Sequence, residues 1–226
     1  MKPPIVDISE PVTLIGGGEL GRNDLDDALS RAPRLIAADG GAGPALAAGH
    51  IPEAVIGDFD SLTAEWRHRI PGDRLFPIRE QDSTDFDKAL RSIRAPLILA
   101  VGFLGARVDH QLAAFNAVVR HANHSCILIG AHEVIFHVPA RIEVPVARGD
   151  VVSLFPMRAV TGRSHGLEWP IDGLELNPGG RIGTSNRALG PVTIETDQPG
   201  LLAMVPRGAL DDVIRALAPA QARAAE

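Results

Sequence analysis

The sequence predicts an α/β fold, in which a Rossmann-like, doubly wound and mostly parallel sheet domain is followed by an antiparallel β-sandwich domain. Two observations predict it. In the first part of the chain, short and continuously apolar runs alternate with helix-like segments, which is typical of strands buried on both faces of a parallel sheet. After about residue 131, short segments rich in Val, Ile and Thr alternate with Gly, Pro and Asn, which is typical of antiparallel sheets. The predicted domains are therefore residues 1–130 and 131–226.

Five apolar runs are predicted as the parallel strands of the first domain, at residues 12–15, 35–38, 54–56, 97–101 and 127–129. Helices are predicted between them, at residues 24–31, 43–48, 63–69, 86–93 and 109–121. The last helix has an apolar face at helical spacing, made of Leu112, Phe115, Val118 and Val119. In the second domain, strands are predicted at residues 134–136, 151–155, 192–196 and 201–205, and a helix at residues 210–217.

Composition excludes several classes of protein. The net charge of −6, with scattered Arg residues, argues against a nucleic-acid-binding protein, which normally has a clustered basic face. No apolar run approaches the roughly 20 residues that a membrane helix needs, and residues 1–10 lack a signal-type segment, so a cytoplasmic protein is expected. The single cysteine, Cys126, can form neither an internal disulfide nor a cysteine-based metal site and is predicted to be a small core residue.

Asp58 and Asp60 stand two residues apart directly after the third apolar run. Residues i and i+2 of an extended segment point to the same side, so both carboxylates are expected to face one small volume. Two like charges that close together need a cation or a proton between them, and Mg²⁺ prefers oxygen ligands and substrate phosphates. The alternative is that the pair makes a turn and caps the next helix.

Glycine and acidic clusters follow most of the apolar runs of the first domain. They are Gly16–Gly18, Asp39–Gly41, the Asp58/Asp60 pair, and the segment from Gly102 to His110. If the runs are parallel strands, these clusters converge on one edge of the sheet, where α/β proteins bind ligands. Glycines there would let backbone amides approach a phosphate, although Gly16–Gly18 lacks the Lys-Ser/Thr ending of a Walker loop.

Two further polar segments are candidates for the same site. Asp82, Asp85 and Asp87 open a predicted helix, where Asp82 or Ser83 is expected as the cap and Asp82 and Asp85 would share a helix face. Arg107 offers a planar fork suited to phosphate. Asp109 is a helix cap, a ligand or a base, and His110 is either catalytic or a hydrogen-bonded structural residue.

Four blocks in order resemble the signature segments of the thiamine pyrophosphokinase family. They are residues 57–61, residues 82–90, residues 102–110 and residues 183–186. The resemblance extends from Asp39-Gly40-Gly41 to residues 192–196. It implies a Mg²⁺-dependent enzyme that transfers the pyrophosphoryl group of ATP to the hydroxyl of thiamine, giving thiamine diphosphate and AMP. It also implies a homodimer with active sites at the subunit interface.

The resemblance implies roles for individual residues. The carboxylates that resemble the family's metal and phosphate ligands are Asp58, Asp60 and Asp85. The pair that resembles the family's nucleotide-site residues is Arg107 and Asp109. The expected nucleotide site also includes the nearby residues Asp39, Gly40, Gln81 and His110. Asp85 is the candidate proton acceptor. Ser185 and Asn186 look like the thiamine-side residues. Trp169 either stacks on thiamine or packs in the core of the second domain, and core packing is the preferred interpretation.

Three alternatives stay open. In a phosphohydrolase of the haloacid dehalogenase type, the first Asp of such a pair is the nucleophile, but that pair normally follows the first strand. A nucleotide or thiamine sensor would keep the fold without the chemistry. A related pyrophosphokinase would act on another alcohol, such as a pterin.

Overall fold

The computed structural model describes residues 3–224, with side chains described as far as residue 218. The chain divides into two compact units, Met1–Ala117 and Val118–Glu226. Among the helices that the structure describes, none combines the length and hydrophobicity needed to cross a bilayer.

The first unit contains a parallel sheet. The strands of this unit are β1 (Val6–Asp7), β2 (Val12–Ile15), β3 (Arg34–Ala38), β4 (Ala54–Gly57), β5 (Leu75–Pro77), β6 (Ile93–Arg94) and β7 (Ile98–Val101). Five of them pair in parallel in the order β7-β2-β3-β4-β5, while β1 pairs with β6. Every residue of β2, β4 and β7 is buried, as expected for strands covered on both faces. The first four apolar runs are thus confirmed as strands, and β5 was not predicted.

Short helices follow these strands. They are α1 (Asp24–Leu29), α2 (Ala42–Ala47), α3 (Ala64–Arg69), α4 (Asp85–Ser92) and α5 (Val108–Arg120). Within the first unit, α1 packs against β2 and β7, and α4 packs against β3 and β4. The predicted apolar face of α5 is wrong at Leu112, whose side chain is 58% exposed, although Val118 and Val119 are buried.

The second unit is antiparallel. It comprises β8 (Cys126–Ile129), β9 (Glu133–His137), β10 (Arg141–Val144), β11 (Val151–Pro156), β12 (Val160–Leu167), β13 (Glu175–Leu176), β14 (Gly183–Thr196), β15 (Leu201–Pro206) and α6 (Leu210–Ala224). The long strand β14 pairs with β11 through its first residues and with β10 and β12 through its last ones. The side chains of Phe136, Leu154 and Ile194 are buried, and so is Cys126, as predicted.

The fifth apolar run, residues 127–129, is confirmed as a strand. It lies in β8 and pairs antiparallel with β9. Only three residues separate these two strands, and a parallel connection needs a dozen or more, so the short connection requires a hairpin. Over the described chain the strand pairing is therefore mixed rather than mostly parallel.

Candidate active site

A pocket of about 530 Å³ lies in the first unit. Its walls come from the loops that follow β2, β3, β4 and β7 and from the start of α4. Because these strands are parallel, their carboxyl ends lie at one edge of the sheet, and the pocket occupies that edge. The lining includes Gly16–Gly18, Asp39, Gly40, Asp58, Asp60, Gln81, Asp85, Gly102, Arg107 and His110. The polar clusters that follow the strands in the sequence therefore meet in space.

Asp58 and Asp60 converge by a different geometry from the one expected. Strand β4 ends at Gly57, and Phe59 adopts a left-handed conformation with φ of 67°. The two carboxylates thus belong to a tight bend and not to an extended segment. The Asp60 amide donates to Asp58 Oδ1 at 3.3 Å, and the Ser61 hydroxyl donates to Asp60 Oδ1 at 2.8 Å. A non-glycine residue in this region is strained, and such strain is common at functional sites.

Asp39, at the end of β3, is the most buried carboxylate of the pocket, with 1% of its surface exposed. It fits there because Gly57 has no side chain: a Cβ on Gly57 would lie 2.6 Å from the Asp39 Cβ. Its Oδ2 accepts from the Ser61 amide at 3.4 Å, whereas its Oδ1 has no hydrogen-bond partner among the residues that the structure describes. Burial, followed by the nearby Asp85, raises the pKa of Asp39 to about 7.

Three of these carboxylates are arranged as cation ligands. Asp39, Asp58 and Asp60 each offer an oxygen atom, and the three oxygens lie within 4.8 Å of one another. A buried carboxylate oxygen without a partner, next to two further carboxylates, fits a hard divalent cation such as Mg²⁺. Asp85 is the predicted third ligand beside Asp58 and Asp60, whereas the geometry groups Asp39 with them.

Asp85 instead shares a lysine with Asp58. Lys88 Nζ donates to Asp58 Oδ2 at 2.7 Å and to Asp85 Oδ1 at 3.1 Å, and the Lys88 side chain is only 1% exposed. Burial opposes the charge on Lys88, but the two carboxylates outweigh that effect and hold its pKa above the ordinary value. The same hydrogen bond from Lys88 lowers the pKa of Asp58, whereas burial raises the pKa of Asp85.

The helix that carries Asp85 and Lys88 begins differently from the prediction. Thr84 is the N-cap of α4, and its hydroxyl accepts from the Asp87 amide at 3.3 Å. The expected caps, Asp82 and Ser83, lie before the helix, where both contact Glu80. Since Asp82 precedes the helix, it does not share a helix face with Asp85.

Gln81 lies on the other side of Asp58. Its Nε2 donates to Asp58 Oδ2 at 3.2 Å, so this oxygen accepts from both Gln81 and Lys88. Two side chains therefore fix the position of Asp58 Oδ2, whereas Asp58 Oδ1 accepts the long hydrogen bond from the Asp60 amide. The orientation of Asp58 is thus determined by residues from two different segments.

Arg107 and Asp109 form a bidentate pair at the rim of the pocket. Arg107 Nε donates to Asp109 Oδ1 at 3.1 Å, and Arg107 Nη2 donates to Asp109 Oδ2 at 2.6 Å. Asp109 also accepts from the His110 amide and lies in the first turn of α5, so it is not the N-cap of that helix. Arg107 lowers the pKa of Asp109 to about 2. The guanidinium is exposed and reachable by an anionic ligand.

The glycine loops after β2 and β7 lie back to back. A Cβ on Gly16 would lie 2.5 Å from the Gly102 carbonyl oxygen, and Gly102 itself has φ of 73°. Larger residues would push the loops apart. With glycine at both positions, main-chain groups form the floor of the pocket, as phosphate-binding loops require.

The predicted thiamine-side residues lie in the second unit. Asn186 is buried and bonded to the main chain of Trp169, with its Nδ2 donating to the Trp169 carbonyl at 2.6 Å. Trp169 is 56% exposed, so its predicted packing in the core is wrong. Ser185 is exposed and has φ of 59°, and its amide donates to Ser153 Oγ at 2.9 Å.

Lys88 and Trp66 line the pocket and are not among the predicted site residues. Lys88 could have been found from its i,i+3 spacing to Asp85 on a predicted helix. Trp66 had no signal in the sequence: it lines the pocket from α3, and its ring packs where a Cβ on Gly43 would lie, 2.3 Å from the nearest ring carbon. That contact joins the successive helices α2 and α3.

Two protein-family models match the chain. Residues 25–129 match the thiamin pyrophosphokinase catalytic domain, and residues 135–201 match the thiamin pyrophosphokinase vitamin B1 binding domain. Together they cover most of the sequence. The chain belongs to the thiamine pyrophosphokinase family. The first model contains every carboxylate of the pocket, from Asp39 to Asp85.

Curated relatives carry the same family name. The chain is 29% identical over 154 residues to thiamine pyrophosphokinase 1 of Oryza sativa, covering 60% of this chain and 58% of the relative. It is 27% identical over 170 residues to thiamine pyrophosphokinase 2 of Arabidopsis thaliana, covering 65% of this chain and 62% of the relative. The matched part thus spans less than two thirds of the length of these relatives.

Solved thiamin pyrophosphokinases share the fold. The structure from Candida albicans superposes with a TM-score of 0.71 at 16% identity and covers 91% of this chain and 95% of that one. The structure from Geobacillus thermodenitrificans gives a TM-score of 0.69 at 24% identity, covering 86% and 96%. At these identities, the superpositions establish the family fold.

Proposed function

We propose that this chain is a thiamine pyrophosphokinase, which transfers the pyrophosphoryl group of ATP to the hydroxyl of thiamine and releases AMP. The observation that carries the proposal is the pocket in which Asp39, Asp58 and Asp60 converge beside two glycine loops. Cation ligands next to main-chain amides are what the binding of a metal-polyphosphate complex requires. Membership of the family supports the choice of reaction and acceptor.

The nucleotide side of the proposal uses residues around the pocket. Gly40 and the glycine loops would approach the phosphates, and Arg107 would turn its guanidinium from Asp109 towards them. His110 and Gln81 would complete this side, with Gln81 holding Asp58 in place. Asp109 would keep Arg107 oriented until the nucleotide binds.

Mg²⁺ would be held by Asp39, Asp58 and Asp60, with Asp85 available on the opposite side of Lys88. The bound cation would neutralise charge on the phosphates. The residues fit it because Asp39 Oδ1 is buried and lacks a partner within the described part of the chain. Asp58 and Asp60 would position the polyphosphate for in-line attack.

In the reaction, the thiamine hydroxyl oxygen attacks the β-phosphorus and forms a new P–O bond. The bond from the β-phosphorus to the oxygen that bridges the α- and β-phosphates breaks, and AMP leaves with that oxygen. Asp85 would accept the hydroxyl proton, and its burial-raised pKa suits it for this role. Arg107 would stabilise negative charge on the transferred group.

On the thiamine side, the proposal assigns Trp169 to stacking on the cationic ring, since its side chain is exposed. Ser185 would contribute its exposed hydroxyl, and Asn186 would hold Trp169 in place. Ser185 also lies in a strained conformation of a kind that is frequent at binding sites.

The proposal also includes four predictions made from the sequence. They are a Rossmann-like nucleotide domain at residues 1–130, a β-sandwich thiamine domain at residues 131–226, a cytoplasmic location, and a homodimer with active sites at the subunit interface. The family models at residues 25–129 and 135–201 support the division of roles. Sedimentation of the purified protein would test the homodimer.

The decisive experiment is to incubate the protein with ATP, Mg²⁺ and thiamine and to identify the products. We expect AMP and thiamine diphosphate. ADP with thiamine monophosphate would refute pyrophosphoryl transfer, AMP formed only with a pterin alcohol would change the acceptor, and nucleotide binding without turnover would favour a sensor.

A matched pair of variants distinguishes the loss of a cation ligand from a non-specific effect of an Asp→Asn substitution. Asp60→Asn removes a proposed cation ligand and should reduce turnover by about 100-fold or more. Asp73→Asn makes the same chemical change at an exposed position outside the pocket lining and should leave turnover unchanged. Equal losses in both variants would contradict the assignment of Asp60.

A further inference from the structure

Lys88 is unusual in this chain before any contact is considered. Two of the 22 basic residues are lysines, Lys2 and Lys88, and the others are arginines. Lys88 is also among the largest fully buried side chains in the described residues. Lysine is almost never fully buried unless it is paired. A chain that otherwise uses arginine therefore places a compact ammonium group inside its acidic pocket.

The contacts of Lys88 explain the choice of a compact cation. Its Nζ lies 2.7 Å from Asp58 Oδ2 and 3.1 Å from Asp85 Oδ1, and so bridges the end of β4 and the start of α4. An ammonium is a point charge that fits between two carboxylates, whereas a guanidinium is a larger planar fork. Without Lys88, the carboxylates of Asp58 and Asp85 would face one another with no cation between them.

We propose that Lys88 is a positioning residue that acts as a built-in counter-ion, so that the divalent cation enters the pocket together with the nucleotide and not before it. This inference rests on the proposed function, because it concerns the same cation site. Lys88 holds Asp58 on one oxygen and offsets one negative charge of the cluster. Asp58 therefore keeps its position in the absence of ligand, and the pocket has a lower affinity for a free divalent cation.

The electrostatics support this order of binding. Asp39, Asp58, Asp60 and Asp85 surround the pocket, and without a cation between them they repel one another. Lys88 supplies part of the neutralisation through a side chain that cannot diffuse away. A hydrated Mg²⁺ gives up its water reluctantly, so a partly neutralised site binds it weakly. The phosphates of ATP add negative charge, which makes the binding of the metal-nucleotide complex favourable.

The test is to titrate Mn²⁺ into nucleotide-free protein and to follow bound Mn²⁺ by electron paramagnetic resonance. The wild type is expected to bind with a dissociation constant in the millimolar range. Lys88→Met removes the internal positive charge and should bind Mn²⁺ at least about tenfold more tightly. A purely structural role would not predict this gain, because loss of structure weakens metal binding.

Arg91→Met is the matched control. Arg91 lies on the same helix, and its removal changes the net charge equally, but it contacts Glu80 and Asp87 and lies outside the pocket lining. It should bind Mn²⁺ as the wild type does, because exposed charges are screened. Unchanged or weaker binding by Lys88→Met, or an equal gain in Arg91→Met, would overturn the proposal.

Two measurements keep the test decisive if Lys88→Met does not fold. Lys88→Gln keeps a hydrogen-bond donor without the charge and should also bind Mn²⁺ at least about tenfold more tightly than the wild type. Binding of Mn²⁺ by the nucleotide-free wild type at about 10 μM or tighter would overturn the proposal without any variant. Failure of the wild type to form AMP would refute the proposed reaction while leaving the Mn²⁺ result intact, so the two failures are distinguishable.

Discussion

Asn186 holds the main chain of Trp169 through both its amide and its carbonyl. Asn186 Oδ1 accepts from the Trp169 amide at 3.1 Å, and Asn186 Nδ2 donates to the Trp169 carbonyl at 2.6 Å. The same Oδ1 accepts from the Arg187 amide at 2.8 Å. A buried asparagine thus keeps an exposed tryptophan in position.

Replacing Asn186 with alanine should therefore destabilise the protein. The change leaves main-chain groups of Trp169 without partners, and the expected loss is about 2–4 kcal/mol in the free energy of unfolding. Urea denaturation measures it. Asn186→Asp keeps the oxygen that accepts from the Trp169 amide but sets a second oxygen against the Trp169 carbonyl, so it should also be destabilised. Unchanged stability together with lost thiamine binding would show that Asn186 contacts the ligand directly.

Thiamine should quench the fluorescence of Trp169. In a Trp66→Phe variant, Trp169 is the only tryptophan, since the chain has two. Its exposed ring can stack on the cationic ligand, so fluorescence is expected to fall in a saturable way as thiamine is added. A thiamine titration of Trp66→Phe, with the double variant that also carries Trp169→Phe as the blank, checks this. A flat titration would argue against stacking.

Asp39→Asn should stabilise the ligand-free protein and impair its function. The raised pKa of Asp39 means that the folded state binds a proton more tightly than the unfolded state, so stability falls as pH rises from about 3.8 to about 7 and stays at the lower level above that. Removal of the buried charge should raise the free energy of unfolding at pH 8 by about 1–3 kcal/mol.

The affinity of the same variant for Mn²⁺ in the presence of nucleotide should fall by about tenfold or more. Thermal melts at pH 8 and Mn²⁺ titration measure the two effects. A variant that loses both stability and metal binding would show that Asp39 is mainly structural.

Asp85→Asn should separate binding from turnover. If Asp85 accepts the proton of the hydroxyl, nucleotide binding stays measurable by calorimetry while turnover falls by about 100-fold or more. The carboxamide oxygen of the variant could still accept from Lys88, so the pocket should keep its shape. Turnover close to that of the wild type would exclude Asp85 as the base.

His137 should make the protein sensitive to acid. Burial, followed by the charge of Arg158, lowers the pKa of His137 to about 4, and its Nε2 accepts from the Gly200 amide. The neutral form is required, so stability is complete above the unfolded pKa of about 6.5 and falls as pH decreases towards 4, by about 3 kcal/mol. The difference in unfolding free energy between the wild type and His137→Gln, measured from pH 7 to 4, isolates this contribution; a constant difference would contradict it.

Much of the first unit was predictable, because continuous apolar runs are a local property. β2, β3, β4 and β7 were found in this way, and so were the polar segments at their carboxyl ends. β5 was missed because it has only three residues and includes Pro77. Strand pairing was harder to predict from the sequence, because β8 is as continuously apolar as the parallel strands but forms a hairpin with β9.

The site was predictable in its residue types and less so in its geometry. The bend at Phe59 depends on a left-handed backbone conformation, which cannot be predicted from a phenylalanine in the sequence. The approach of Asp39 to Asp58 and Asp60 depends on Gly57 and on the pairing of β3 with β4. Likewise, the exposure of Trp169 and Leu112 depends on which neighbours pack against them, and both were expected to be buried.

The sequence by itself determined the α/β class, the order of the main elements and the acidic and glycine-rich segments, because these follow from composition and local periodicity. It also carried the family resemblance, which depends on four short sequence blocks in order. Only the tertiary structure decided that Asp39 joins Asp58 and Asp60, that Lys88 lies between Asp58 and Asp85, and that Asn186 holds Trp169. Apart from the i,i+3 contact between Asp85 and Lys88, these relationships depend on residues that are well separated along the chain. Their distances depend on how strands pair and helices pack, and burial then sets the charge state of each group.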